Sequence, residues 1–247
     1  MCRTNFSLVT PAVFDGTADG GEVYPDIIFS PISSMALQNY IFDFDGTLAD
    51  TLADVLDSLK YAFIQCGIEP PAFDPSKILQ FQLKDAIRAS VPGITLETTE
   101  LVARRFREIY DAIDYPNTTL LPTVAGLLLK LKERSAGMFI VSNKRRVPLL
   151  RILDKFSIRH FFTGIFNPDM YEGGNAMTKC ELLGHALEKH SLSKSGTAYI
   201  GDSEGDVAAA KENGVLAIAV ESGYGDIPSF KIRPDYTVRR IIEILTV

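Results

Sequence analysis

The sequence predicts an α/β fold in which a parallel sheet forms the core and an all-helical cap is inserted into that core. After residue 122, short apolar runs alternate with amphipathic stretches, which is typical of a parallel sheet covered by helices on both faces. Between Leu52 and Ile113 the apolar residues follow helical spacing without any strand pattern, which indicates the insertion. The chain has 247 residues, enough for one large domain or for a core with a smaller insertion.

The predicted core begins with a strand and is then interrupted by helices. The run YIFDF at 40–44 is short, aromatic and β-branched, as expected for a buried strand, and Gly46 ends it. Three helices are predicted next: Leu52–Cys66, which ends at Gly67; a stretch around Ile78–Ala89; and a third with an apolar face of Val102, Phe106, Ile109 and Ile113, which stops before Pro116.

Strands and helices alternate over the rest of the chain. The predicted strands are MFIV at 138–141, FFTGIF at 161–166, TAYIGD at 197–202, VLAIAV at 215–220 and YTV at 236–238. The predicted helices are 124–131, 147–156, 178–190 and a short one around 207–211.

The first 34 residues differ from the rest of the chain. They are rich in Gly, Pro, Ser and Thr and show no sustained periodicity, so we interpret 1–34 as a tail outside the fold and expect a chain that starts at Met35 to fold. The letters FDGT occur both at 14–17 and at 44–47, but Val13 stands in the tail where Asp43 stands in the second copy. The predicted domains are therefore a core formed by 35–50 and 120–247, and a helical cap formed by 51–119.

Composition excludes several classes of function. The net charge of −6 argues against a nucleic-acid partner or an anionic membrane surface. No apolar run reaches the length of a membrane span, and the three cysteines are too widely spaced for a metal site or a disulfide framework. We expect a cytoplasmic protein, monomeric or homodimeric, without a signal peptide.

Polar side chains follow several of the predicted strands. Asp43 and Asp45 end the first strand, Ser142 follows the second, Asp202 ends the strand TAYIGD, and Lys179 opens a later helix. Any one of these could be an ordinary turn residue. Because ligands bind at the carboxyl ends of parallel strands, four segments that deliver polar groups to one edge predict a site there.

The order of these motifs resembles that of the haloacid dehalogenase superfamily, and most of all its phosphoglycolate-phosphatase-like group. The resemblance rests on IFDFDGTLADT, then VSNK, then a downstream lysine, then GDSEGDVAAA, and it runs from about Gln38 to the C-terminus. It implies a Rossmann-like sheet with a helical cap, and a phosphatase that acts on a small phosphorylated metabolite. Crowded carboxylates of this kind independently favour a Mg²⁺ ion.

The resemblance also implies roles for individual residues. Asp43 would be the nucleophile that forms an aspartyl-phosphate, and Asp45 the general acid and base. The Asp43 and Asp202 carboxylates and the Asp45 backbone carbonyl would hold the metal, and Asp206 would hold metal-bound waters or Lys179.

The remaining site residues are expected to bind the phosphate. The Ser142 hydroxyl and the Asn143 backbone N–H would bind phosphoryl oxygens, and Thr47, grouped with them, would order the Asp45 turn. Two lysines compete to balance the phosphate charge. We assign that role to Lys179, at a helix N-terminus, and expect Lys144 at the rim, steering the substrate.

Other functions remain open at this point. A sugar-phosphate mutase could use the same aspartyl-phosphate, and a phospho-Asp signalling domain or an inert binding protein are alternatives from other classes. Lys84 and Arg88 could meet a substrate anion, although a solvated helix face is the more common explanation of such a pair. The sequence does not identify the substrate.

Overall fold

The computed structural model describes residues 37–74, 78, 82–170 and 177–247, all within one compact unit of the chain. The tail predicted at 1–34 lies outside these residues. Residues 79–81 of the helix predicted around Ile78–Ala89 lie outside them as well.

Six parallel strands form the central sheet, as the sequence predicts. The strands are β1 (Asn39–Phe42), β4 (Gly137–Val141), β5 (Gly164–Phe166), β6 (Thr197–Gly201), β7 (Leu216–Val220) and β8 (Tyr236–Val238). Their order in the sheet is β5-β4-β1-β6-β7-β8, with every neighbouring pair parallel. β4 and β5 therefore follow one another outward on one side of β1, and β6, β7 and β8 follow one another outward on the other side.

Helices cover both faces of the sheet because successive strand residues point to opposite sides. In β1, Tyr40 and Phe42 belong to one buried apolar cluster and Ile41 to the other. The core helices are α4 (Val124–Glu133), α5 (Arg146–Lys155), α6 (Lys179–Lys189) and α7 (Glu204–Asn213). The first cluster includes residues of α4 and α5, and the second includes residues of α6 and α7.

A helical segment separates β1 from β4. It contains α1 (Leu52–Gln65), α2 (Leu83–Ser90) and α3 (Leu96–Ala112), with α1 packed along α3. Two short antiparallel strands, β2 (Ala49–Asp50) and β3 (Thr119–Leu120), pair where the chain enters and leaves this segment. We propose that this segment is a cap, with the boundaries predicted from the sequence.

Two strand predictions were too long by two residues or more. In FFTGIF only Gly164–Phe166 is a strand, because a 3-10 turn at Arg159–Phe161 precedes it. The strand YIFDF ends at Phe42, and Asp43 and Phe44 already belong to the following turn. Over the described ranges, no helix is long and apolar enough to cross a membrane.

Candidate active site

The site lies where the sheet reverses its winding direction. The three central strands are β4, β1 and β6, and their carboxyl ends are followed by Ser142, Asp43 and Asp202. The connections after β4 and β6 run to opposite sides of β1, which opens a crevice between them. Helix α6 places Lys179 at the same edge, because its first turn is fixed by a capping box between Thr178 and Glu181.

Asp43 is a buried carboxylate with one oxygen that lacks a partner. Its Oδ2 atom lies 3.1 Å from Lys179 Nζ, whereas its buried Oδ1 atom has no hydrogen-bond partner among the described residues. Burial raises the pKa of Asp43 to about 6, against the opposing effect of the Lys179 ammonium and with a further increase from the Asp206 and Asp45 charges.

Asp202 is buried without a cation partner among the described residues. Thr47 Oγ1 donates to its Oδ1 atom at 3.3 Å, and the Tyr224 backbone N–H donates to its Oδ2 atom at 2.7 Å. Burial and the charges of Asp206 and Asp43 raise the pKa of Asp202 to about 7. Thr47 is fully buried beneath Asp202, so its hydroxyl orients that carboxylate and does not reach into the site cavity.

Asp206 is held by both of its oxygens. Its Oδ1 atom accepts from Lys179 Nζ at 2.7 Å and lies 3.0 Å from Tyr199 Oη, while Oδ2 accepts from the backbone N–H and the hydroxyl of Ser203. Burial alone would lower the pKa of Lys179, but the Asp206 and Asp43 carboxylates raise it, so the side chain stays an ammonium ion. Asp206 therefore fixes the lysine that faces Asp43.

The carboxylate cluster fits a divalent cation. One oxygen from each of Asp43, Asp202 and Asp206 lies within 4.8 Å of the other two, and all three side chains are buried. Lys179 balances only part of their charge, so the neighbouring carboxylates add to the effect of burial in raising the pKa values of Asp43 and Asp202. A cation bound here would satisfy the unpartnered Asp43 Oδ1 atom and would suit this all-oxygen donor set.

Asp45 projects toward the helical segment. Its Oδ1 atom accepts from Thr51 Oγ1 at 2.6 Å and from Lys144 Nζ at 2.8 Å. The expectation that Lys144 lies at the rim is wrong, because its side chain is only 4% exposed and bonded to Asp45 and to Tyr110. The turn after β4 carries Lys144 inward, and its backbone N–H donates to Ser142 Oγ at 3.3 Å.

The motif residues enclose a small cavity of about 80 Å³. It is lined by Asp43, Asp45, Asn143, Lys179, Asp202, Ser203, Gly205 and Tyr224. Ser142 is buried at the adjoining strand end, and Asn143 is exposed beside it. All eight predicted site residues thus lie at one edge of the sheet, although Thr47 and Asp206 support the cavity from behind.

Sequence reasoning missed two tyrosines of this site. Tyr199 holds Asp206 from within β6, and Tyr224 bonds Asp202 through its backbone while its hydroxyl donates to Asp50 and accepts from the Thr51 N–H. Tyr224 could have been noticed from the stretch SGYGD at 222–226, since this turn follows a predicted strand. Lys84 and Arg88 form exposed ion pairs with Glu100 and Asp85, as a solvated face would.

A larger groove of about 810 Å³ lies elsewhere, beside β5. It is lined by residues such as Arg146, Arg159 and His160 and contains none of the motif residues. The groove is larger, but the clustered carboxylates with raised pKa values make the smaller cavity the candidate site.

Comparison with known proteins gives relatives over most of the chain. The chain is 27% identical over 216 residues to a protein of Agrobacterium fabrum named phosphoglycolate phosphatase, covering 84% of this chain and 89% of that one. A solved haloacid dehalogenase-like hydrolase from Streptococcus pneumoniae has the same fold, with a TM-score of 0.75 at 24% identity over 85% of this chain and 97% of that one.

Identity at this level does not decide how the chain handles a phosphoryl group. A Mycobacterium bovis protein named tyrosine-protein kinase PtkA is also 27% identical, over 189 residues that cover 76% of this chain and 63% of that one.

Family membership rests on broader evidence. The model of the haloacid dehalogenase-like hydrolases matches residues 40–220, from β1 through β7, and so includes every motif residue of the site. Since this match spans well over half of the 247 residues, the chain belongs to the haloacid dehalogenase-like hydrolase family.

Proposed function

We propose that this hydrolase is a Mg²⁺-dependent phosphatase that cleaves a small phosphate monoester through an aspartyl-phosphate on Asp43. One observation carries the proposal. Asp43 has a buried oxygen without a hydrogen-bond partner in the described part of the chain, and it shares a small cavity with Asp45 and Lys179. An unpaired carboxylate oxygen next to a fixed ammonium ion is suited to attack an anionic phosphorus centre.

In the first half of the reaction, a carboxylate oxygen of Asp43 attacks phosphorus. The new bond joins Asp43 to phosphorus, while the bond to the ester oxygen breaks and that oxygen keeps its electron pair. Asp45 then supplies the proton that this oxygen needs, from a side chain that is 17% exposed and reaches the cavity. Lys179 and the Ser142 hydroxyl stabilise the phosphoryl oxygens in this step.

In the second half, water replaces the alcohol. Asp45, now deprotonated, takes a proton from a water molecule that attacks the phosphorus of aspartyl-phosphate. The bond between phosphorus and Asp43 breaks, phosphate leaves, and both carboxyl groups return to their starting states.

A cation would be held by the Asp43 and Asp202 carboxylates and the Asp45 backbone carbonyl. When bound, Mg²⁺ would neutralise charge on the phosphoryl group and on the crowded carboxylates. Thr47 and the Tyr224 backbone keep Asp202 aimed at this position. Asp206 supports the same position by fixing Lys179.

The substrate is proposed to be a small organic phosphate, with phosphoglycolate as the first candidate. The cavity has room for only a few water-sized groups, which supports a small substrate. The name of the Agrobacterium fabrum relative supports phosphoglycolate.

Phosphate release from a panel of phosphorylated metabolites tests this proposal. We expect turnover in the presence of Mg²⁺, reversible loss of turnover with a chelator, and release of one alcohol per phosphate. Isomerisation of a sugar phosphate without release of phosphate would instead identify a mutase.

Asp43→Asn is the matched test of the nucleophile. It should lower turnover about 10³-fold or more, as expected when a covalent nucleophile is removed. Asp57→Asn, which changes an exposed carboxylate of α1, is the control. Retained activity in a clean preparation of the Asp43 variant would rule out the aspartyl-phosphate.

A further inference from the structure

Lys144 is a buried cation for which the proposed reaction has no use. It directly follows the phosphate-binding pair Ser142 and Asn143, but it does not line the site cavity. A buried ammonium ion is costly unless every neighbour compensates it, so the partners of Lys144 indicate its role.

The Lys144 ammonium group joins two side chains from different parts of the fold. Its Nζ atom lies 2.8 Å from Asp45 Oδ1 and 2.9 Å from Tyr110 Oη. The Tyr110 ring centroid is 4.9 Å away and the Phe44 ring centroid 5.8 Å away. Two acceptors and two aromatic faces thus hold the charge in place.

This contact leaves the two Asp45 oxygens unequal. Lys144 and Thr51 both donate to Oδ1, and no described residue donates to Oδ2. The carboxylate is therefore anchored through one oxygen, and the other is left for proton exchange with the substrate or with water. Without Lys144, the Thr51 hydroxyl would be the only described side chain that restrains the orientation of Asp45 by a hydrogen bond.

Tyr110 connects this arrangement to the helical segment. It lies near the end of α3, where its ring stacks on Phe106 at 5.2 Å and meets the edge of Tyr115 at 5.2 Å. Close by, Arg145 pairs with Asp111 at 2.8 Å and Arg151 with Asp114 at 2.9 Å. The end of α3 is therefore fastened to the segment that carries Lys144.

From these contacts we propose that Lys144 is a positioning residue for Asp45, and that Tyr110 makes this positioning depend on where the helical segment lies. The inference rests on the proposed function, because it assigns a consequence to the orientation of the general acid. A displacement of α3 would remove the Tyr110 hydroxyl from Lys144. The Lys144 ammonium group would then be held less firmly in the position from which it bonds Asp45.

The test compares leaving groups. An alkyl phosphate needs a correctly placed acid, whereas p-nitrophenyl phosphate has a leaving group that departs without a proton. Lys144→Met should lower kcat for the alkyl phosphate at least about tenfold more than kcat for p-nitrophenyl phosphate. This is a part of the factor of about 10²–10⁴ that a correctly placed general acid contributes. Equal losses for both substrates would show a merely structural role.

A double-mutant cycle identifies the group through which Lys144 acts. In an Asp45→Asn background, Lys144→Met should have little further effect on alkyl phosphate turnover. An undiminished effect would overturn the proposal. Lys211→Met is the control, since this lysine of α7 pairs with Asp235 and is neither among the residues that line the site cavity nor part of the contacts between α3 and α5.

Tyr110→Phe tests the link to the helical segment and stays informative if the Lys144 variant does not fold. It keeps the ring stack and removes only the hydroxyl. The kcat for the alkyl phosphate should again fall more than kcat for p-nitrophenyl phosphate, but the difference should be smaller than in Lys144→Met. Absence of any selectivity would show that Tyr110 does not position Asp45. If the wild-type protein releases no phosphate from either substrate, the proposed function itself is refuted.

Discussion

Gly46 shows how little space surrounds the clustered carboxylates of the site. Its φ angle of +78° lies in the left-handed region that favours glycine, and a Cβ atom there would lie 2.4 Å from Asp202 Oδ2. On the other side of Asp202, a Cβ atom on Gly225 would lie 1.8 Å from the Asp202 carbonyl oxygen. Asp202 is thus enclosed by backbone that has no room for side chains.

We expect Gly46→Ala to damage catalysis more than folding. The new methyl group must displace Asp202 or the Tyr224 ring, and a misplacement of about 1 Å can cost about 10²-fold in rate. Steady-state kinetics at saturating Mg²⁺ should therefore show a loss of at least about tenfold in kcat/KM.

Gly93→Ala is the control for this substitution. Gly93 has a similar φ angle of +82°, but a Cβ atom there would meet nothing within 4 Å. It should carry the same backbone strain without a kinetic effect. Equal losses in the two variants would mean that strain, and not contact with Asp202, is responsible.

At the scale of elements, Asp54 joins the start of α1 to the chain that returns from the helical segment. This buried carboxylate accepts from Thr118 Oγ1 at 2.6 Å, from Asn117 Nδ2 at 3.1 Å and from the Asn117 backbone N–H at 3.2 Å. The bonds lie beside the β2–β3 pair, so both connections of the helical segment are held at one point.

Asp54→Ala should destabilise the protein by about 2–3 kcal/mol, because it leaves buried donors without an acceptor. For a chain of this size, that corresponds to a decrease in Tm of about 5–10 °C. Asp57→Ala, one turn further along the same helix and exposed, should change Tm by less than about 2 °C. Thermal unfolding measures both, and similar shifts would contradict this role for Asp54.

At the scale of the whole molecule, the site stores unfavourable electrostatic energy. Asp43, Asp202 and Asp206 are buried together around a single lysine, in a protein of net charge −6. The pKa of Asp202 is raised to about 7 and that of Asp43 to about 6, so the folded state binds protons more tightly than the unfolded chain does.

The sign of the resulting pH dependence follows from these raised pKa values. Stability from the protonated carboxyl groups is fully present below the unfolded pKa of about 4, and it is lost as the pH rises through about 6–7. Without divalent cations, Tm should therefore fall between pH 5 and pH 8. Since one pKa unit corresponds to about 1.4 kcal/mol, the free energy of unfolding should decrease by a few kcal/mol over this pH range.

Mg²⁺ should reverse this trend, because it binds the ionised carboxylates. The increase in Tm on adding Mg²⁺ is expected to be larger at pH 8 than at pH 5. Asp202→Asn is the matched variant and should show a flatter profile and a weaker response to Mg²⁺. An identical pH slope in the variant would show that the dependence arises elsewhere.

Local patterns in the sequence determined most of the fold and the positions of the motif residues. Short continuous apolar runs predicted the strands, and helical spacing between Leu52 and Ile113 predicted the inserted helices. Asp43, Ser142 and Asp202 could be assigned to one edge because the carboxyl ends of parallel strands meet there. The family match confirms the resemblance that these motifs suggested.

The tertiary structure alone decided which side chains these residues contact. Lys144 follows a strand end and could have pointed outward, but Asp45 and Tyr110, which are 99 and 34 positions away, compensate its buried charge. Tyr224 reaches Thr51 across 173 positions. Periodicity reports which face of an element is buried, over a few residues of chain. It contains no information about which distant side chain supplies the acceptor. That pairing decides whether a lysine lies at the rim of the site or holds Asp45 inside the fold.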